Sequence, residues 1–237
     1  MDPVDEQREY YRHRAGEYDE WWFRKGRYAL APEAKRHWLA DVAEAEAALR
    51  EFAPAGDVLE LACGTGLWTH HLVRHGGRVT AVDSAAEMIA LNRARVGGQV
   101  TYVQADVFAW TPPVAAFDVC FFGYWLSHVP AERLASFWAT VGRALRPGGR
   151  VFLVDSYHPE PLAGHTQERV LNDGRRFTVV KRFWQPAELA AAAGELGWTL
   201  DVRVTAHGAI LYATGHRGGV GAAGFQPRRV RSSRGEG

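Results

Sequence analysis

Nine residues, Val58-Leu-Glu-Leu-Ala-Cys-Gly-Thr-Gly66, constrain this chain more than any other stretch. Val58, Leu59 and Leu61 form a short apolar run, the signature of a parallel strand buried on both faces. Ala62, Gly64 and Gly66 keep side chains small where strand turns into helix, so a ligand can approach the backbone and the bare amides there. Glu60 stands near the strand's carboxyl end, where open α/β sheets bind ligands. A carboxylate beside a glycine turn is a poor cradle for phosphate and a good partner for an ammonium or hydroxyl group. The expected ligand is a cationic nucleoside without phosphates.

The following residues repeat a strand–helix pattern. Thr65–His75 reads as a crossover helix, closed by Gly76-Gly77. Arg78–Val82 is the second strand, with Asp83 at its end, and Ser84-Ala-Ala-Glu87 has the form of a capping box opening the next helix. Asp83 lies about twenty residues past the glycine turn, where an acidic side chain accepts from ribose hydroxyls. Gln99–Gln104 is a third strand ending in Ala105-Asp106-Val107, and Phe117–Phe122 a fourth, leading into Gly123-Tyr-Trp-Leu-Ser-His128. Pro130–Leu145 forms a helix, and Arg150–Val154 a fifth strand running into Asp155-Ser-Tyr157-His158. Asn172-Asp-Gly174 between β-formers predicts a hairpin inserted at about 168–183. Pro186–Leu196 makes a helix ended by Gly197. Trp198–Thr205 and Ala209–Thr214, joined by a short turn, must be antiparallel.

With these residues in place, Glu60-Leu-Ala-Cys-Gly-Thr-Gly66 resembles the first motif of class I S-adenosylmethionine-dependent methyltransferases, with Ala62 at the first glycine position. Arg146-Pro-Gly-Gly149 resembles the family's Pro-Gly-Gly turn, and Ala15-Gly-Glu-Tyr-Asp19 the segment that many small-molecule members place over the cofactor. The resemblance implies an α/β Rossmann-like methyltransferase fold: a mostly parallel seven-stranded sheet with its last strand antiparallel, an N-terminal helical lid and the inserted β-hairpin. The expected division is a lid over residues 1–52, a methyltransferase domain over 53–216 and a disordered Gly/Arg-rich tail over 217–237. S-Adenosylmethionine is the implied cofactor, held by Tyr11, Tyr18, Glu60, Ala62, Cys63, Gly64, Asp83, Ser84, Met88, Asp106, Val107 and Phe122. Asp106 would accept from the adenine amino group, with the amide of Val107 beside the ring. Trp22, Tyr124, Trp125, Tyr157 and His158 are the expected substrate contacts. His128 has the titration range of a general base, yet the histidine it resembles is structural in many members.

Bulk properties narrow the classes. The chain has 237 residues, 47% of them hydrophobic, enough for one full α/β core. A formal net charge of +1 gives no electrostatic reason to expect nucleic acid or a membrane surface. Cys63 and Cys120 offer neither a disulfide framework nor metal-ligand spacing, so no metal is expected and a reducing, cytoplasmic setting suits them. No signal peptide or bilayer-length apolar run is visible. Nine tryptophans suit either an aromatic-lined pocket or simple packing. The expected partner is a small molecule, aromatic or apolar, methylated on oxygen or nitrogen by a monomer or homodimer. Two other functions stay open. A dinucleotide-dependent oxidoreductase is disfavoured by Thr69 where G-x-G-x-x-G needs its third glycine, and a non-catalytic binding protein could use the same scaffold.

Overall fold

The computed structural model describes residues 3–160, 162 and 164–218. The helices α1 (Pro3–Arg14), α2 (Tyr18–Trp22) and α3 (Pro32–Phe52) precede the sheet. Then β1 (Asp57–Leu61), α4 (Thr69–Arg74), β2 (Arg78–Asp83), α5 (Ala86–Val96), β3 (Thr101–Gln104), β4 (Phe117–Gly123), α6 (Ala131–Ala144) and β5 (Leu145–Ser156) alternate. The hairpin β6 (Thr166–Val170) and β7 (Arg176–Val180) follows, then α7 (Pro186–Glu195), β8 (Trp198–Val204) and β9 (Ile210–Arg217).

The main sheet has the order β3-β2-β1-β4-β5-β9-β8, and only β9 runs against its neighbours. Because β1 sits in the middle, its side chains are buried on both sides. Leu59 and Leu61 join the cluster under α6, while Val58 joins the one under α3. Helix α3 buries Trp38, Val42, Ala45, Leu49 and Phe52, an alternation of four and three that keeps one stripe against the sheet. Phe137, Trp138, Val141 and Ala144 of α6 do the same on the opposite face. Each fully buried side chain of this size contributes about 1.5–3 kcal/mol.

Local chemistry moved several boundaries. Helix α4 begins only at Thr69, four residues later than the apolar pattern suggests, because the glycine turn is long. The expected Ser84–Glu87 capping box does not form. The amide of Ala85 instead donates to Asp83 Oδ1 at 2.9 Å, and no side chain caps α5. A capping box does occur at α7, between Gln185 and Glu188. The Arg146–Gly149 turn lies within the run of β5, where the pairing with β4 shifts register between Phe117 and Val119.

The lid and the hairpin form one layer. Tyr10 of α1 is fully buried with Leu171 and Val179. Gln7 accepts from the Val180 amide at 3.1 Å and donates to the His128 carbonyl at 3.2 Å. Helix α2 is anchored by Asp19, which accepts from the Thr65 hydroxyl at 2.7 Å and pairs with Arg95. No helix among the described residues is long and apolar enough to cross a membrane. The expected Gly/Arg-rich tail falls, from residue 219 on, outside the described residues.

Candidate functional site

Sheet topology decides where the side chains converge. The carboxyl ends of β1, β2, β3 and β4 face the lid, and a cleft opens there. Its lining includes Tyr11, Tyr18, Ala62, Gly64, Asp83, Ser84, Met88, Asp106, Val107, Tyr124, Trp125 and His128. Gly64 has φ +51° and nothing within 4 Å of where a Cβ would stand, so the backbone itself is open to the cleft. Gly66 also has a left-handed φ, +88°, and carries a second constraint: a Cβ there would lie 2.7 Å from Asn92 Oδ1 on α5. Ala62 and Tyr124, at the ends of the paired strands β1 and β4, both hold positive φ, 52° and 54°. Left-handed backbone costs a non-glycine residue roughly 1–2 kcal/mol, and two of the five such residues among those described, Ala62 and Tyr124, line this cleft.

The three carboxylates have different surroundings. Asp83 accepts from the amides of Gly64 and Ala85, each at 2.9 Å, while its burial raises its pKa. Asp106 accepts from the Phe108 amide at 2.9 Å and from Arg8 of the lid at 2.8 Å. Glu60 is 2% exposed and lies behind Ala62, in a hollow that shares Tyr18, Ala62, Gly64, Gly123 and Tyr124 with the cleft. Burial pushes its pKa up to about 8, against the Thr69 hydrogen bond and with the Asp83 charge adding to the rise. Its Oε2 has no partner among the described residues. An open glycine, a carboxylate at the end of β2 and an orphaned buried acid together fit a nucleoside bearing an ammonium group.

Beyond the cleft lies a second chamber of about 350 Å³. Tyr11, Tyr18, Tyr124 and His128 line both spaces and form the wall between them. The chamber's other walls include Trp21, Tyr28, Trp38, Tyr157 and Phe183, with Arg14, Arg24, Arg169 and Lys181. Trp21 meets Tyr124 edge-on at 5.0 Å, and Arg24 sits 3.6 Å from the Trp38 ring centroid. Lys181 reaches Asp155 at 3.5 Å and the hydroxyls of Ser127 and Ser156 at 2.8 and 3.2 Å.

His128 is 4% exposed, and both ring nitrogens are engaged. Nδ1 lies 2.5 Å from the Val180 carbonyl, which only accepts, so Nδ1 carries the proton. Nε2 then accepts from the Tyr11 hydroxyl at 2.8 Å. Burial, reinforced by the charge of Lys181, holds the imidazole pKa well below its usual value.

Several expected residues lie elsewhere. Phe122 is fully buried against Phe137 and Trp138, on the core side of β4. Cys63 borders the Glu60 hollow rather than the cleft. Trp22 packs behind the chamber on Trp38 and Trp68, and its neighbour Trp21 takes the wall. Trp125 faces the cleft beside Phe108. Tyr157 lines the chamber, whereas His158 bonds to Glu160 backbone and packs on Phe183. The sequence reading missed Gln7 and Arg8 in the cleft, and Arg14, Arg24, Arg169 and Lys181 in the chamber. For Lys181 a signal existed: a cation directly after the apolar Phe177–Val180 run.

The geometry has counterparts among known proteins. Residues 58–149 match the family described as "Methyltransferase domain". The ubiquinone biosynthesis O-methyltransferase of Xylella fastidiosa strain M23 is 31% identical over 193 residues, 76% of this chain and 74% of that protein. The demethylmenaquinone methyltransferase of Lactococcus lactis subsp. lactis is 30% identical over 109 residues, 43% of this chain and 42% of that one, so less than half of that relative is spanned. Among solved structures, the DhpI–SAH complex is 40% identical, covers 91% of this chain and 97% of its own, and superposes with a TM-score of 0.75. The DhpI–SAM–HEP complex gives 38%, 90%, 97% and 0.75. A seven-stranded sheet with one reversed strand, a glycine turn open to the cleft and relatives of this coverage leave one assignment: the chain belongs to the class I S-adenosylmethionine-dependent methyltransferases.

Proposed function

We propose that this protein transfers a methyl group from S-adenosylmethionine to a small-molecule acceptor. The carrying observation is the pair of spaces joined through Tyr11, Tyr18, Tyr124 and His128, one lined by the glycine turn and Asp83, the other by aromatic side chains and cations. When bound, the donor supplies a sulfonium methyl open to in-line displacement. Gly64 leaves room beside the turn, Asp83 would be the partner for ribose hydroxyls, and Asp106 with the Val107 amide would be the partner for the adenine edge. Glu60 would be the carboxylate for the ammonium group. The tyrosine wall would orient the acceptor and exclude water, and much of the acceleration would come from that alignment. Aromatic faces beside a sulfonium add cation–π attraction. Two buried free thiols, Cys63 and Cys120, support a reducing, cytoplasmic setting.

Isothermal titration with S-adenosylhomocysteine tests this reading. The wild-type chain is expected to bind, and Asp83→Ala or Gly64→Val to lose binding while remaining folded. Absence of binding to the wild type overturns it.

A further inference from the structure

We propose that the acceptor is a small oxyanion, a carboxylate or a phosphoryl oxyanion, held in the chamber by Arg14, Arg169 and Lys181 and methylated on its own oxygen. The proposal rests on the methyltransferase reading above. Four cationic side chains, Arg14, Arg24, Arg169 and Lys181, line the chamber, and none of its lining residues is acidic. Two of them are among the most deeply buried charges of the protein: Arg14 is 7% and Lys181 5% exposed.

Their protein partners do not balance that charge. Arg14 touches the Tyr28 hydroxyl at 3.5 Å and lies against the faces of Tyr10, Tyr18 and Tyr28, but its Nε has no partner. Arg24 also has a buried Nε without a partner. Arg169 has no carboxylate against it among the described residues. Only Lys181 has one, Asp155, and the oxygens of Asp155 already accept from the amides of Ser127 and Ser156 at 2.8 and 2.7 Å. Burial, with Arg169 and Arg14 nearby, holds the Lys181 ammonium pKa below its ordinary value. Charges withdrawn from water without counter-charges are costly, and aromatic faces recover only part of the loss. An anion in the chamber removes the imbalance and finds forked donors suited to its oxygens.

Neither the histidine nor the tyrosines of these walls serve as a base, and Lys181 is held as a cation beside Asp155. Both nitrogens of His128 are committed within the protein, and the phenols of Tyr11 and Tyr18 are driven up by burial, Tyr18 to about 12. An alcohol or ammonium acceptor would have nowhere to leave its proton, whereas an oxyanion arrives without one. The acceptor oxygen forms the C–O bond as the S–CH₃ bond breaks and its electron pair remains on sulfur. The products are a methyl ester and a neutral thioether, and no proton moves.

The test uses the full chain saturated with S-adenosylhomocysteine. Thermal unfolding is followed with benzoate and phenylphosphonate, and with benzamide and benzyl alcohol as neutral matches. At least one oxyanion is expected to raise Tm, and the neutral compounds are expected to leave it unchanged. Arg169, half-buried on the hairpin, is the position to vary without threatening the fold. Arg169→Met is expected to weaken oxyanion affinity about tenfold or more, with the Kd for S-adenosylhomocysteine within about twofold of wild type. A parallel assay with methyl-labelled donor then separates carboxylate from phosphoryl acceptors by which series yields an ester, and its rate is expected to be flat with pH above the acceptor's own pKa. Equal stabilisation by the neutral compounds, stabilisation by neither oxyanion, or unchanged affinity in Arg169→Met overturns the proposal. Oxyanion binding without any affinity for S-adenosylhomocysteine would instead overturn the methyltransferase reading and leave the anion site standing.

Discussion

The Tyr11 hydroxyl donates to His128 Nε2 across 2.8 Å, tying lid helix α1 to the loop after β4 at the wall between cleft and chamber. The bond fixes His128 as a neutral ring with its proton on Nδ1, and makes it a positioning residue for Tyr11. Tyr11→Phe leaves a buried acceptor without a donor, which costs about 1–3 kcal/mol. Urea unfolding is expected to report that loss. An unchanged midpoint would mean that the bond is absent in solution.

Glu60 makes the ligand-free protein sensitive to pH. A glutamate in the unfolded chain titrates near 4.5, while burial raises the folded group to about 8. Between those values the folded state keeps a proton that the unfolded state has released. The stability associated with Glu60 is therefore complete below about pH 4.5 and is lost as pH rises through 8. Glu60→Gln removes the dependence and is expected to gain on wild type with rising pH, by up to about 3 kcal/mol at pH 7. An ammonium group arriving beside Glu60 reverses the shift, so binding S-adenosylhomocysteine at pH 7 should release a proton. Calorimetry in buffers of different ionisation enthalpy reads that proton directly, and a buffer-independent heat would contradict the assignment.

Gly64 and Gly66 are two residues apart and should fail differently. A methyl group at Gly66 meets Asn92 Oδ1 at 2.7 Å and its Cα at 3.1 Å, so strand turn and α5 must separate. Gly66→Ala is expected to cost about 1–3 kcal/mol through overpacking, on top of the left-handed backbone (φ +88°) that it shares with Gly64. At Gly64 the space is empty, and only the φ of +51° resists substitution. Gly64→Ala should therefore keep most of its stability and lose ligand affinity. Thermal unfolding and isothermal titration, run on both variants, separate the two effects. The same phenotype in both would refute the distinction.

Much of this arrangement was legible because it depends on local pattern. The runs at Val58–Leu61 and Phe117–Phe122 are apolar but for Glu60 and Asp118, without the strict alternation of a half-exposed strand, and Asp83 and Asp106 follow from strand ends. What could not be read depends on rotation and on distant partners. Trp21 and Trp22 differ by about a hundred degrees around one short helix, and sequence does not say which faces the chamber. Ser84 carries the form of a cap, but the helix begins one residue later, with Ala85 as its N-cap, so the Ser84 side chain is out of register for the box. Arg14 and Arg169 look like ordinary surface cations until α1 folds over the hairpin and encloses them with Tyr11 and Tyr18.

Gln7 is the last element of that enclosure. It is 2% exposed, and its amide spans the Val180 N–H and the His128 carbonyl, joining hairpin and loop as one more rung of backbone pairing would. Gln7→Leu keeps the volume and leaves both backbone groups unsatisfied, at about 1–3 kcal/mol each in a buried setting. Because the penalty falls on the lid and hairpin and not on the main sheet, the expected result is local opening. Hydrogen exchange at the Val180 amide should accelerate by at least about tenfold while amides of β1 and β4 keep their protection. The Michaelis constant for the methyl donor should rise, since Tyr11, Arg8 and Val4 all reach the cleft from the same helix. Equal acceleration across the central strands would show that Gln7 supports global stability, and would remove the case for a separately mobile lid.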